Sequence, residues 1–283
     1  MAGKSTLNRL ELTGKGVSEE ERYKKIVMDE AAVDRMLVEV FLAAHPEPPP
    51  EIVLDLDATD DAVHGNQEGR FFHGYYGHYC YLPLYIFCGE HLLGARLRPS
   101  NIDASAGCRE EVQRVVTEIR QTWPEVKITL RGDSGFCREE LMSWCEANRV
   151  DYVLGLAKNE RLKAEIAPEL EQAAAEYAAT GKPARRFREF LYQTRESWSR
   201  ARRVVAKAEH LEKGSNPSRL AGWCPRSRPK PGKPELCMKN STVRVARWRT
   251  GSRSSSRYLR IGLRRPCCAA IRSACISPRW PTC

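Results

Sequence analysis

Residues Glu51–Asp61 read EIVLDLDATDD. Ile52, Leu54 and Leu56 alternate with Val53, Asp55 and Asp57, the two-residue period of a strand that buries one face. Strand interiors disfavour aspartate. Two aspartates on one face of an otherwise apolar strand repel each other unless a cation or another partner sits beside them. Further on, the apolar run Val126–Leu130 leads straight into RGDSGF, Arg131–Phe136, so Asp133 closes a second strand. Taken alone, an aspartate after a strand is as often a turn or helix-capping residue. Two carboxylates at the tips of adjacent strands are a different matter. A rigid sheet can hold them so that they share hard cations, and Mg²⁺ prefers such oxygen ligands. A pair of ions about 4 Å apart stabilises both the attacking and the leaving oxygen of a phosphodiester displacement.

Periodicity outward from this strand gives a helix over 18–45, ended by Pro46, Pro48, Pro49 and Pro50. Strands are expected at Tyr79–Phe87 and His91–Leu97, separated by Gly89. An amphipathic helix over 105–122 carries Val112, Val115, Val116 and Ile119 on one face. Arg138–Asn148 reads as a helix, Tyr152–Gly155 as a strand, and Glu160–Ala179 as a helix ended by Gly181 and Pro183. Phe187–Thr194 and Arg202–Ala208 read as a hairpin. Three strands followed by alternating helices and strands imply an α/β fold, a mixed sheet flanked by helices.

Composition divides the chain. The formal charge of +10 hides a C-terminal stretch, Ser218–Cys283, that carries +15 with Glu235 as its one acid. That stretch holds six of the 11 cysteines, irregularly spaced, and lacks the apolar periodicity that builds a core. Disorder is expected there. No apolar run reaches the roughly 18 residues of a membrane span, and no signal peptide is visible. A cytoplasmic protein with free thiols is the expectation.

Six motifs in order point further: IVLDLDATDD, HGNQEGRFFHGYY, YCYLPLYIF, LRPSNIDASAG, LRGDSGF and TRESWSRARRVVAKAEHL. Together, over about residues 1–217, they resemble the DDE transposases of insertion sequences, in the domain class called group 1. The resemblance implies an RNase H-like catalytic core over 51–184, a helical segment over 1–50 before it and a β-rich insertion over 185–217. It implies Mg²⁺, with Mn²⁺ as a substitute, and DNA as partner, both element ends and target, with a homodimer as the assembly usual in the family. Carried over by motif, Asp57 and Asp133 are the first two catalytic carboxylates and metal ligands, and Asp55 is a weaker candidate for the first. In such enzymes water attacks the phosphodiester at the element's end, and the freed 3′-hydroxyl then attacks target DNA.

The family's third ligand is a glutamate in a Tyr-x-x-Arg-x-x-x-Glu signature, which this chain lacks. A reading-frame slip near Pro217 is the expected cause of the loss. When the third base of each codon is read with the first two of the next, Cys237–Arg253 can encode HEELYCARGEMENRIKE. The missing glutamate then falls at Trp248 and Arg249. The start also reads as truncated relative to the family. The chain is therefore expected to be catalytically defective as written.

Other residues carry weaker signals. Trp198 lies where the family's insertion stacks an aromatic on a displaced base, although core packing is as plausible for it. Arg195, Arg200, Arg202 and Arg203 form a basic stretch able to follow phosphates or to be a solvated hairpin face. His64, His73 and His78 read more readily as strand or surface residues than as ligands. Two other functions remain open at this level. Asp55-Leu56-Asp57-Ala58-Thr59 matches the D-x-D-x-T motif of haloacid-dehalogenase-type phosphatases, with Asp55 as nucleophile and Asp57 as acid/base. A non-enzymatic DNA-binding protein working through its basic tail is the other.

Overall fold

The computed structural model describes residues 17–18, 26–157, 159–212, 214–216 and 220–223. Its centre is strand β1, Glu51–Ala58, with Ile52, Leu54 and Leu56 buried and the aspartates on the other face. β1 pairs antiparallel with β5 (Leu84–Cys88), which pairs antiparallel with β6 (His91–Arg96). On its other side β1 runs parallel to β7 (Lys127–Gly132), and β7 runs parallel to β8 (Val150–Leu156). The order β6-β5-β1-β7-β8, an antiparallel meander followed by two parallel crossovers, is the RNase H-like arrangement expected from the sequence.

Helices cover this sheet. α1 is Glu30–Ala43, where Asp29 caps the N-terminus by accepting from the Ala32 amide at 3.0 Å. α2 is Cys108–Thr122, and its Val112, Val115, Val116 and Ile119 are all buried. Each such side chain contributes about 1.5–3 kcal/mol relative to exposure. α3 (Glu139–Ala147) follows the RGDSGF turn. α4 (Glu160–Glu165) and α5 (Ala167–Thr180) come after β8.

The hairpin is present as β9 (Ala184–Tyr192) and β10 (Arg202–Leu211), paired antiparallel. It is not isolated from the core. β12 (Leu220–Trp223) pairs with both β10 and β8 and so continues the main sheet, while β11 (Gly214–Asn216) pairs with β10. A small second sheet, in the order β2 (Asp61–Ala62), β4 (His78–Tyr81), β3 (Phe71–His73), lies between β1 and β5 in sequence.

Four expectations change. Among the described residues, the helix expected over 18–45 begins at Glu30, because Asp29 sits extended at φ −90° and caps it, with Ile26 exposed in an isolated bridge; residues 19–25 of that expectation lie outside the described residues. The strand expected over Tyr79–Phe87 is two strands in two sheets, broken at Pro83, which has no amide to donate to a ladder. The helix expected over Glu160–Ala179 is divided at Ile166, where Pro168 starts a new helix. Disorder was expected from residue 218, yet Leu220–Trp223 is a strand. The rest of the basic tail, from Cys224, lies outside the described residues, as does the expectation of its disorder. Among the described residues no helix is long and apolar enough to cross a membrane.

Candidate active site at the tips of two parallel strands

The β1–β7 ladder sets Glu51 opposite Lys127, Leu54 opposite Leu130 and Asp55 opposite Arg131. Carried two residues past the last pair, the same register brings Asp57 level with Asp133. Neighbouring strands run about 4.8 Å apart, so the two carboxylates meet at one end of the sheet. Burial pushes the Asp57 carboxyl up to about 6, and the negative charge of Asp133 beside it adds to the shift, with a smaller push from Asp55. The backbone amide at Ala58 works against this by hydrogen-bonding the carboxylate.

Asp133 sits in the RGDSGF turn as its cap. Its Oδ1 accepts from the Gly135 amide at 2.7 Å, and the residue is exposed. The capping and ligand roles anticipated for this aspartate are thus compatible, because only one oxygen is occupied. The turn lies hard against β8. A Cβ on Gly155 would come within 2.8 Å of the Ser134 nitrogen and 3.0 Å of the Asp133 carbonyl carbon. Gly155 thereby sets where Asp133 stands, a role sequence reasoning missed. Its one sequence signal is a glycine interrupting the apolar run YVLGL.

Asp55 is placed differently from Asp57. Both of its oxygens are held by the Arg131 guanidinium, through Nε and, at 2.5 Å, through Nη2. The pair is largely buried. This is the partner that two aspartates on one strand face call for, and it occupies the oxygens that a metal ligand or a phosphatase nucleophile needs free. The antiparallel β5 beside β1 also departs from an all-parallel phosphatase core.

The small sheet brings further groups over the carboxylates. Asp60 accepts or shares a hydrogen bond with His78 Nε2 at 2.8 Å. Burial pushes the Tyr76 phenol up to about 12, with Asp60, Asp57 and Asp133 adding to it. Tyr76 therefore stands in the field of both strand-tip aspartates; it closes the motif HGNQEGRFFHGYY, but no site role was assigned to it from the sequence. His73 lies tilted against Tyr76 with ring centroids 4.8 Å apart, and its buried Nδ1 has no hydrogen-bond partner among the described residues. His64 is exposed.

Two residues expected at the DNA are buried in the hairpin. Trp198 is 5 % exposed and packs edge-on against Tyr192. Arg202 is 4 % exposed; it binds Glu139 at 2.6 Å and Glu146 at 2.8 Å, and lies over the Trp198 ring. In this conformation both side chains are engaged within the protein, and for Trp198 this is the core-packing alternative. Arg200 is exposed but paired with Glu146, and Arg203 is paired across the hairpin with Glu189. Arg195 is exposed with no ion pair among the described residues.

The family model described as Transposase DDE domain group 1 matches residues 1–222. The chain belongs to this family. The match ends five residues beyond Pro217, close to where the composition changes. No curated protein matches the chain. Among solved structures it is similar to a piggyBac transposase synaptic complex with hairpin DNA, at 11 % identity and a TM-score of 0.38. That similarity covers 66 % of this chain, which spans 35 % of the piggyBac chain. As a class, DDE transposase domains use divalent metal ions. Among the described residues no group of three or more His, Cys, Asp or Glu is gathered so as to hold one. This DDE domain presents a pair of carboxylates, and the burial and neighbouring charge that raise Asp57 are conditions a shared cation relieves.

Proposed function

We propose that the chain is a DDE transposase whose Asp57 and Asp133 hold a divalent cation, Mg²⁺ or in its place Mn²⁺, for phosphodiester hydrolysis and strand transfer on DNA. The observation that carries this reading is that Asp57, near the end of β1, and Asp133, just past the end of the parallel β7, stand close enough for the charge of Asp133 to push the Asp57 carboxyl up. The donor set is hard oxygen, which suits these ions. When bound, the metal supplies activation of the attacking oxygen and stabilisation of the leaving one. The chain's own part is positional. β1 and the Gly155-seated turn fix the separation of the two carboxylates, and Arg131 keeps Asp55 neutralised beside them.

The third acidic ligand is absent from the chain as written, so strand transfer should be largely lost. The lost glutamate belongs to the alternate frame around Trp248 and Arg249, a reading supported by the end of the family match at residue 222. The DNA at the site would be an element end and then a target; the assembly would be a dimer, in the cytoplasm.

Mn²⁺ binding followed by electron paramagnetic resonance tests the proposal. The full chain should bind the ion, and Asp57→Asn or Asp133→Asn should abolish binding. Undiminished binding in both variants would refute the assignment. The nucleotide sequence across codons 210–283 tests the frame, since wobble bases that forbid the alternate reading would remove it.

A further inference from the structure

The small sheet that carries Tyr76 towards the carboxylates is also where exposed rings gather. Among the described residues, the large exposed aromatics are Phe71, Phe72, Tyr75 and Tyr79, all between positions 71 and 79. Tyr75 is 87 % exposed and Phe72 58 %. The β3–β4 register sets Phe72 opposite Tyr79, so their rings share one face, 5.6 Å apart and edge to face. The Arg70 guanidinium lies 4.4 Å from the centre of the Tyr79 ring. At the turn, Tyr75 meets Tyr76 edge to face at 5.1 Å. The series of rings therefore leads from the outer face of the sheet, over its tip, to the field of Asp57 and Asp133.

Leaving such rings in water forgoes the stabilisation their burial would give, and clustered exposed apolar surface marks a binding site. The chemistry of the patch selects the occupant. It consists of flat rings and one guanidinium, with no exposed aliphatic residue in the run. Its one cation, Arg70, lies over the Tyr79 ring and also donates to Asn66, so the patch offers ring and guanidinium faces and no cluster of cations for a phosphate backbone. Nucleobase faces are neutral and stack on aromatic rings and on arginine planes alike. The patch also adjoins the carboxylate pair through Tyr76.

We propose that Phe72, Tyr75 and Tyr79, with Arg70 against Tyr79, form a stacking platform for unpaired bases next to the phosphate held at Asp57 and Asp133. The platform rests on the transposase reading above for the identity of its ligand as DNA.

The test is photocrosslinking of the full chain to a single-stranded oligonucleotide carrying iodouracil, without added metal. Salt is set high enough to suppress contacts between the basic tail and phosphates. The expected product is a crosslink mapping to residues 71–79. The double variant Phe72→Ala/Tyr75→Ala should keep the wild-type melting temperature, since both rings are exposed, and should bind the oligonucleotide about tenfold more weakly or worse. Crosslinks confined to 184–211 or 218–283, or wild-type affinity in the double variant, would overturn the platform. So would self-association through this face, seen as a dimer that the double variant dissociates with no crosslink at 71–79. Because crosslinking is read without metal, failure of Mn²⁺ binding at Asp57 would sink the metal reading and leave the platform standing.

Discussion

Asp55 and Arg131 lie directly opposite each other on β1 and β7, and the guanidinium grips both carboxylate oxygens one step below the Asp57–Asp133 pair. Two pairs of positions along one edge of the sheet, one acid with base and one acid with acid, are thereby separated in chemistry. One is neutralised within the protein and the other is left with its repulsion.

The first prediction concerns this separation. Asp55→Asn should leave Mn²⁺ binding in place, whereas Asp57→Asn should remove it. Arg131→Ala, which strands a buried carboxylate, should cost about 3–5 kcal/mol in urea unfolding. Equal loss of Mn²⁺ binding in Asp55→Asn and Asp57→Asn would show that Asp55 is a ligand after all.

The second follows from the raised carboxyl of Asp57. Its folded-state value of about 6 lies above the ordinary 3.8, so ionising it opposes folding. The native state is favoured at low pH, and the penalty grows as pH rises from about 4 to about 6. Asp57→Asn should therefore be more stable than wild type at pH 7 by about 1–3 kcal/mol. The two proteins should converge near pH 4. Thermal melts across that range check the sign, and a difference independent of pH would contradict it.

A third concerns Gly155. Alanine there meets the backbone of Ser134 and Asp133, not a flexible side chain. The expected cost is about 1–3 kcal/mol, together with weakened Mn²⁺ binding. An alanine variant with unchanged affinity would show that the turn moves without carrying Asp133 out of place.

A fourth concerns Arg202 and Trp198. Both should behave as core residues. Arg202→Ala leaves Glu139 and Glu146 without their buried cation and should cost about 3–5 kcal/mol. Trp198→Ala should cost a similar amount, about 3–5 kcal/mol. Arg195→Ala, at an exposed unpaired side chain, should leave stability unchanged. Chemical denaturation of the three variants separates these outcomes.

The strand tips were legible because each aspartate closes an apolar run whose alternation sets its face. The meander and the two crossovers followed from the order of those runs. Less was legible where one residue overrides a period. Pro83 splits a continuous apolar stretch between two sheets, and Asp29 sets the helix start against a pattern that extends upstream. Arg131 was read as part of a motif, but its grip on Asp55 depends on a ladder register that no local pattern prints. Tyr76 and Gly155 reach the site through tertiary approach alone. Trp198 and Arg202 show the limit from the other side. A tryptophan beside arginines reads the same whether it faces a nucleic acid or forms a cation–aromatic core, and the deciding partners, Glu139 and Glu146, lie on a separate helix.

Those partners have a mechanical consequence. α3 starts six residues after Asp133, and its Glu139 receives Arg202 and Ser199 from the hairpin, while Glu146 receives Arg200 and Arg202. A force applied to the hairpin is thus delivered through this clasp of charges to the helix that anchors the aspartate's turn. The hairpin is thereby moored to the helix that follows the second aspartate, and not only to its neighbouring strands.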